Sequence, residues 1–170
     1  GVRSIEHGNL IDAPTAALMA ERGAVAVPTL ITYEALARDG LRLGLGAESA
    51  AKIEQVRAAG LSSLEVFKAA GVKLAFGTDL LGGSHDLQSE EFLIRAQVQS
   101  NLEVLQSATL IGAELLGQAD RLGEIAPGAC ADLLLVDGNP LDDLTCLTGQ
   151  GERIALVMQG GLVRFNELPT

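Results

Sequence analysis

The sequence predicts an α/β fold, with strands and helices alternating over residues 1–117 and a small β-unit over residues 118–170. Three observations support this prediction. Apolar runs of strand length alternate with amphipathic helical segments before Gly117. Beyond Gly117 apolar residues no longer recur every three or four residues, as in a helix, but every second residue, as in a strand. A chain of 170 residues that is 48% hydrophobic and 20% charged is globular and can bury a sizeable core.

The first βα repeat lies at the start of the chain. Residues 2–7 predict a strand, and Asp12 is a candidate N-cap for the helix that follows. Pro14 is tolerated in the first turn of that helix, and Gly23 is a helix-stop signal. Residues 24–30 predict a second strand, so the order is strand, helix, strand.

A long irregular segment and a long helix follow. Residues 32–46 are rich in Gly and Leu without clear periodicity, which predicts an active-site loop with short helical pieces. Residues 47–70 carry apolar side chains at threes and fours and predict an amphipathic helix, with Gly60 as its weak point or break. Gly71 ends this helix, and the apolar run at residues 73–79 predicts a third strand, parallel to the first two.

The remainder changes from helices to short strands. Residues 89–99 and 102–116 predict two helices, and Gly117 stops the second. Three runs of period two then predict strands, namely residues 122–125, 132–136 and 154–158. Gln159-Gly160-Gly161-Leu162 predicts a tight hairpin turn into a last strand at residues 162–165.

Composition excludes several classes of partner. The formal net charge is −10 and the basic residues are scattered, which argues against nucleic-acid or anionic-membrane binding. No apolar run reaches the roughly 18 residues of a membrane span. Cys130 and Cys146 form no CxxC motif and imply no disulfide framework. A cytoplasmic protein is therefore expected.

Two predicted strands end in side chains that can bind a metal or carry a proton. His7 precedes Gly8 at the end of the first strand, and Asp79 follows Gly77 and Thr78 at the end of the third. The carboxyl ends of parallel strands meet at one edge of a sheet or barrel, where chemistry is usually located. The two residues therefore predict one shared site. The alternative for Asp79 is that it caps the next helix or closes a turn.

These motifs together resemble a known family. Ile5-Glu6-His7-Gly8 and Phe76-Gly77-Thr78-Asp79 are followed, in order, by Ser107-Ala108-Thr109, Leu122-Gly123-Glu124-Ile125, Pro127-Gly128 and Ala131-Asp132-Leu133. This pattern resembles the C-terminal part of the metal-dependent amidohydrolase superfamily, in its imidazolonepropionase and Xaa-Pro dipeptidase (prolidase-like) branch. The resemblance implies the last three βα units of a TIM-type (β/α)8 barrel followed by a small β-sandwich-like unit. A complete barrel needs about 250 residues, so a fragment of a longer protein is expected.

The resemblance also implies a metal-activated hydrolysis of C–N bonds in amides or peptides, with dipeptides favoured. His7 corresponds to the sixth-strand metal ligand, and Asp79 to the eighth-strand carboxylate that touches the metal and takes the proton of the water. The implied cofactor is a divalent metal, with zinc favoured, as one or two ions in the full-length protein. The strands that carry the family's other ligands are not in this sequence, and two ligands are fewer than a zinc site needs. The isolated chain is expected to be inactive.

Tyr33 and His85 are candidate substrate contacts. Tyr33 is the only Tyr and lies just beyond a predicted strand end, although simple loop packing would also explain it. Members of the resembled family place a His and then a Glu after Gly-Thr-Asp, and His85 with Glu90 or Glu91 has that spacing. Substrate contact, weak metal ligation and a solvated loop residue all remain open for His85.

The alternative to an enzyme is a catalytically incomplete module. Three parallel strands leave bare edges and uncovered apolar side chains, which predicts self-association or the binding of a partner chain. A homo-oligomer is therefore expected, and for the enzyme a small-molecule or dipeptide substrate.

Overall fold

The computed structural model describes residues 1–42 and 44–168 and has a mixed α/β architecture. The α-helices are α1 (Ala13–Glu21), α2 (Leu30–Asp39), α3 (Ala47–Ala70), α4 (Glu90–Arg95), α5 (Asn101–Ala108) and α6 (Leu110–Leu115). The strands are β1 (Ser4–Glu6), β2 (Val25–Val27), β3 (Leu133–Val136), β4 (Ile154–Gln159) and β5 (Leu162–Asn166). Short 3-10 turns lie at Gly82–Leu87, Leu144–Leu147 and Gly149–Gly151.

Parallel pairing organises the N-terminal part of the structure. β1 pairs in parallel with β2, and Ile5 lies opposite Ala26. On the other side of β2, Ala26 forms a parallel bridge to Leu74, and Ala75 N donates to Ala26 O at 2.9 Å. The parallel direction predicted for the three segments is therefore confirmed.

The paired stretches are shorter than the sequence predicts, because backbone features at their ends stop the ladder. β1 ends before His7, which has a φ of +63°. β2 ends before Pro28, which has no N–H to donate. The segment predicted as a strand at residues 73–79 pairs only at Leu74.

The helices show where the local pattern was sufficient and where it was not. Asp12 caps α1 by accepting from Thr15 N at 2.9 Å, as predicted. Residues 32–46 were predicted to be a loop with short helical pieces, but residues 32–39 form one continuous helix as part of α2, so the loop prediction is wrong there. Leu43, in the same segment, lies outside the described residues. The first turn of α2 is buried against other elements, and this packing overrides the weak local signal.

α3 runs without interruption, so the break that the sequence allowed at Gly60 does not occur. A Cβ at this position would lie 2.9 Å from Leu30 Cδ2. The glycine is therefore needed for the close approach of α2 to α3 rather than for a break in the helix. Gly71 ends α3 in the left-handed conformation, as the sequence predicts.

Two later predictions also need correction. The single helix predicted at residues 102–116 is divided into α5 and α6 at Thr109, whose hydroxyl donates to Leu105 O at 2.7 Å. The strand predicted at residues 122–125 does not form. Leu122 N donates to Gln118 O at 3.0 Å, so the first residue of this segment belongs to a local turn and does not pair in a sheet.

The last three strands form an antiparallel sheet in the order β3-β4-β5. A turn at Gly160 and Gly161, both with positive φ, joins β4 to β5 and confirms the predicted hairpin. Leu134 and Leu162 are more than half exposed on this sheet, at 53% and 61%. The domain boundary between residues 117 and 118 stays a prediction.

The core has two parts on opposite faces of the parallel segments. On one face, α1 and α3 bury Ala16, Met19, Leu64 and Phe67 against Ala26. On the other face, Val25, Val27 and Ala75 contact Ile111 and Leu115 of α6. Because both faces are covered, the strand ends are held in fixed positions. No helix in the described part of the chain is long and apolar enough to cross a membrane.

Candidate active site

His7 and Asp79 lie at neighbouring ends of the parallel segments. Both leave the extended conformation there, with φ of +63° for His7 and +48° for Asp79. His7 N still donates to Val27 O at 3.0 Å, which keeps its backbone against β2. The structure brings the two side chains together, with His7 Nε2 3.9 Å from Asp79 Oδ2. The two side chains are close enough to form one site, as predicted. Their roles in catalysis and metal binding stay predictions.

Thr29 orients the imidazole of His7. The Thr29 hydroxyl is buried and lies 2.7 Å from His7 Nδ1. With Nδ1 engaged in this hydrogen bond, Nε2 faces Asp79 and is the nitrogen left for a ligand. The imidazole therefore presents one nitrogen in a fixed direction.

Asp79 is held by its backbone and leaves its carboxylate accessible. Thr32 Oγ1 donates to Asp79 O at 2.9 Å. The Asp79 side chain is 58% exposed and, among the described residues, accepts no hydrogen bond. The carboxylate can therefore contact a cation or exchange a proton with water.

Tyr33 lies beside this pair, on α2 rather than on a loop. Its ring meets the His7 ring edge to face, with centroids 6.2 Å apart and planes at 84°. Burial raises the pKa of the Tyr33 phenol, and the negative charge of Asp79 raises it further. The phenol therefore stays protonated at neutral pH and can donate a hydrogen bond next to His7 and Asp79.

His85 is placed differently. It lies in the 3-10 turn after Asp79, with its Nε2 2.7 Å from Leu80 O. Because a carbonyl only accepts, Nε2 carries the proton and is not free to bind a metal. None of the described contacts joins His85 to His7 or Asp79. His85 is exposed, and among the described residues its Nδ1 has no hydrogen-bond partner.

Two charged residues that the sequence did not single out as site residues are fully buried behind the site. Glu91 and Arg95 have no exposed surface. Glu91 Oε2 accepts from Ile31 N at 2.7 Å, and Arg95 Nη1 donates to Ala75 O at 2.9 Å. Burial raises the pKa of Glu91 to about 7 and lowers the pKa of Arg95 to about 10. In the sequence, Glu91 was one of two glutamates at the His-and-Glu spacing of the resembled family, and its spacing to Arg95 is common on exposed helices.

Gly8, next to His7, is predicted to tolerate no side chain. Its φ is +68°, and a Cβ there would lie 2.7 Å from Phe67 Cζ in the core. Gly8→Ala is expected to lower the free energy of unfolding by about 3 kcal/mol, from the left-handed backbone together with the clash. Urea unfolding of the whole protein measures this loss.

The matched control is Gly23→Ala. Gly23 has a similar φ of +64°, but nothing lies within 4 Å of its added Cβ. Only the backbone cost of about 1–2 kcal/mol is expected there. Equal losses in the two variants would show that Phe67 moves away freely and that Gly8 is not restricted by packing.

The donor set fits part of a divalent metal site. Imidazole nitrogen and carboxylate oxygen are normal zinc ligands, and His7 Nε2 and Asp79 Oδ2 lie 3.9 Å apart, so these two atoms would help to hold an ion. Within the described residues, no group of three or more His, Cys, Asp or Glu side chains could hold an ion. These two residues would therefore supply only part of the three or four ligands that a zinc site needs.

The chain is similar to proteins of one family. A model of the amidohydrolase family matches residues 1–163. The crystal structure of an amidohydrolase has a TM-score of 0.96 and 60% identity, covering 99% of this chain and 41% of that chain. A prolidase in complex with N-methylphosphonate-L-proline has a TM-score of 0.95 and 51% identity, covering 98% of this chain and 41% of that chain. The ochratoxinase of Aspergillus niger is 30% identical over 163 residues, which cover 95% of this chain and 33% of that enzyme.

Proposed function

The chain belongs to the amidohydrolase family, and we propose on this basis that the whole protein is a metal-dependent hydrolase of C–N bonds whose substrates are Xaa-Pro dipeptides. The chain spans only 41% of the two solved structures and 33% of the ochratoxinase, so the proposal concerns the whole protein. The observation that carries it is the approach of His7 Nε2 and Asp79 Oδ2 to 3.9 Å at adjacent strand ends. The 51% identity to a prolidase supports the substrate class.

The finer architecture is part of the same proposal. Residues 1–117 would be the last three βα units of a TIM-type barrel, and residues 118–170 a separate β-unit beside it. The parallel order of β1, β2 and the Leu74 segment supports the first assignment, and the antiparallel β3-β4-β5 sheet supports the second. The rest of the barrel would come from other parts of the whole protein.

His7 and Asp79 would hold the divalent ion, with zinc favoured, together with ligands from the rest of the whole protein. A bound divalent ion supplies a Lewis acid and lowers the pKa of water to about 7. One or two ions would occupy the site.

Asp79 has the proton-transfer role. Its carboxylate would accept a proton from the attacking water as the water oxygen bonds to the acyl carbon, and the C–N bond breaks as that proton reaches the nitrogen. The same carboxyl group then gives this proton to the leaving proline nitrogen, so no proton is gained or lost. The exposed, unbonded carboxylate and its fixed backbone support this role.

Tyr33 and His85 are proposed to contact the substrate. The protonated Tyr33 phenol would donate to an oxygen of the dipeptide, next to the reacting bond. His85, with Nε2 bonded to Leu80 O, would offer Nδ1 as an acceptor for the substrate's amino group. The oligomeric state of the whole protein stays a prediction.

The proposal predicts a metal-dependent dipeptidase. The whole protein, purified without chelator, should contain one or two divalent ions per chain by elemental mass spectrometry and should release proline from Xaa-Pro dipeptides. Removal of the metal by a chelator should abolish turnover, because the activated water is lost, and zinc should restore it. N-acylated amino acids are assayed in parallel, to test whether the protein prefers Xaa-Pro dipeptides to other amides.

Full turnover by the metal-free protein would contradict the metal role. Cleavage of N-acylated amino acids without cleavage of any Xaa-Pro dipeptide would retain the amidohydrolase chemistry and overturn the substrate class.

A further inference from the structure

We propose that Glu91 is a positioning residue: its buried carboxylate caps the N-terminus of α2 and thereby holds Thr29 against His7 and Thr32 against Asp79. This inference rests on the proposed function, because it concerns the same site. It assigns a role to a residue that touches neither member of the His7–Asp79 pair.

The first step of the argument is that α2 does not cap itself. Thr29 occupies the N-cap position, but its side chain makes no capping hydrogen bond. Its hydroxyl instead lies 2.7 Å from His7 Nδ1. A Thr used to orient an imidazole cannot also satisfy the free N–H groups of its own helix, so these donors need another acceptor.

Glu91 supplies that acceptor from a distant part of the chain. Its Oε2 accepts from Ile31 N at 2.7 Å, across 60 residues of sequence. A negative charge at a helix N-terminus is favoured by the aligned peptide dipoles. The side chain is fully buried, so water cannot replace it as the cap.

The first turn of α2 contacts both halves of the site. Thr29 bonds to the imidazole of His7, and Thr32 donates to Asp79 O at 2.9 Å. Tyr33, one residue later, lies edge to face with His7. A displacement of this turn would therefore move the imidazole and the carboxylate together.

Arg95 anchors α4, from which Glu91 projects. One turn along the helix from Glu91, Arg95 Nη1 donates to Ala75 O at 2.9 Å and its guanidinium lies 5.6 Å from the centroid of Phe76. Ala75 and Phe76 belong to the segment that ends in Asp79. α4 thus connects α2 to the Asp79 segment through two buried side chains of opposite charge.

The test uses Glu91→Ala and Glu91→Gln in the whole protein. Glu90→Ala is the matched control, since it removes the neighbouring charge on the same helix and Glu90 is not buried. Hydrogen–deuterium exchange measures how fast the backbone amides of residues 29–33 exchange. Steady-state kinetics with an Xaa-Pro dipeptide gives kcat and KM.

Glu91→Ala is expected to speed exchange in residues 29–33 and to lower kcat by about 10- to 100-fold, the range seen when residues that orient metal ligands are removed. KM should change by less than about twofold, because Glu91 does not contact the substrate and its binding before the reaction is unaffected. Glu91→Gln keeps one acceptor oxygen and should recover part of both losses, while Glu90→Ala should match the wild type.

Exchange and kcat must change together. The proposal is overturned if Glu91→Ala leaves either one at the wild-type value, or if exchange rises equally throughout the core, which would indicate a general structural role. If the wild-type protein cleaves no Xaa-Pro dipeptide, the proposed function fails. In that case the exchange rates and zinc contents of the variants still decide whether Glu91 positions His7 and Asp79.

Discussion

Replacing Asp79 by Asn in the whole protein is expected to lower kcat by about 10²–10⁴-fold while leaving the fold intact, because the amide keeps the shape of the carboxylate but cannot take a proton. The backbone contact that holds this residue, from Thr32 Oγ1 to Asp79 O, does not depend on the side chain. Steady-state kinetics with an Xaa-Pro dipeptide and far-UV circular dichroism measure the two parts of the expectation.

Asp86→Asn is the matched control for Asp79→Asn. Asp86 is exposed in the turn that follows Asp79, and none of the described contacts involves its carboxylate. Its replacement should leave kcat within about twofold of the wild type, as expected for a surface change away from the chemistry. Near-normal turnover by Asp79→Asn would contradict the proton-transfer role, as would an equal loss in both variants.

Replacing Arg95 by Met is expected to lower the free energy of unfolding by about 3–5 kcal/mol, because it removes the positive charge that offsets part of the cost of burying the Glu91 carboxylate and leaves two buried acceptors without donors. These acceptors are Ala75 O and Gln99 Oε1, which lie 2.9 Å and 2.7 Å from their donors in the wild type. Urea unfolding of the whole protein, monitored by circular dichroism, measures the loss of stability.

Two further variants separate charge from packing. In Glu91→Leu combined with Arg95→Met, both charges are removed, and the double variant should be more stable than Arg95→Met alone. Arg57→Met removes an Arg that forms exposed ion pairs with Glu34 and Glu54, so its effect should be much smaller. Wild-type stability for Arg95→Met, or a double variant that is less stable than Arg95→Met, would show that the buried charges do not compensate each other.

The strand order and the proximity of His7 to Asp79 followed from the sequence. Apolar runs separated by helices predict parallel strands, and parallel strands bring their carboxyl ends to one edge. The structure has this arrangement, and His7 Nε2 lies 3.9 Å from Asp79 Oδ2. The cap at Asp12, the end of α3 at Gly71 and the Gly160-Gly161 hairpin were also predicted, because each depends on a few adjacent residues.

Elements that depend on distant contacts were not predicted. α2 lies in a segment without clear periodicity, and its first turn is capped by Glu91, which is 60 residues away in the sequence. A glycine inside a helix, such as Gly60, indicates a weak point in that helix. In the structure, the missing side chain of Gly60 instead leaves room for Leu30 of α2. The strand predicted at residues 122–125 does not form, and Leu122 N instead donates to Gln118 O in a local turn. Local pattern cannot show which of these competing interactions prevails.

The sequence by itself determined which residues could form the site, and the tertiary structure decided how they are held. Glu91 and Arg95 stand four residues apart on a predicted helix, a spacing that is typical of an exposed ion pair. Only packing against α2 and the Ala75 segment buries both of them. Removing these charges from water is unfavourable unless hydrogen bonds replace the lost hydration, and Ile31 N and Ala75 O, which lie far from these residues in the sequence, replace part of it.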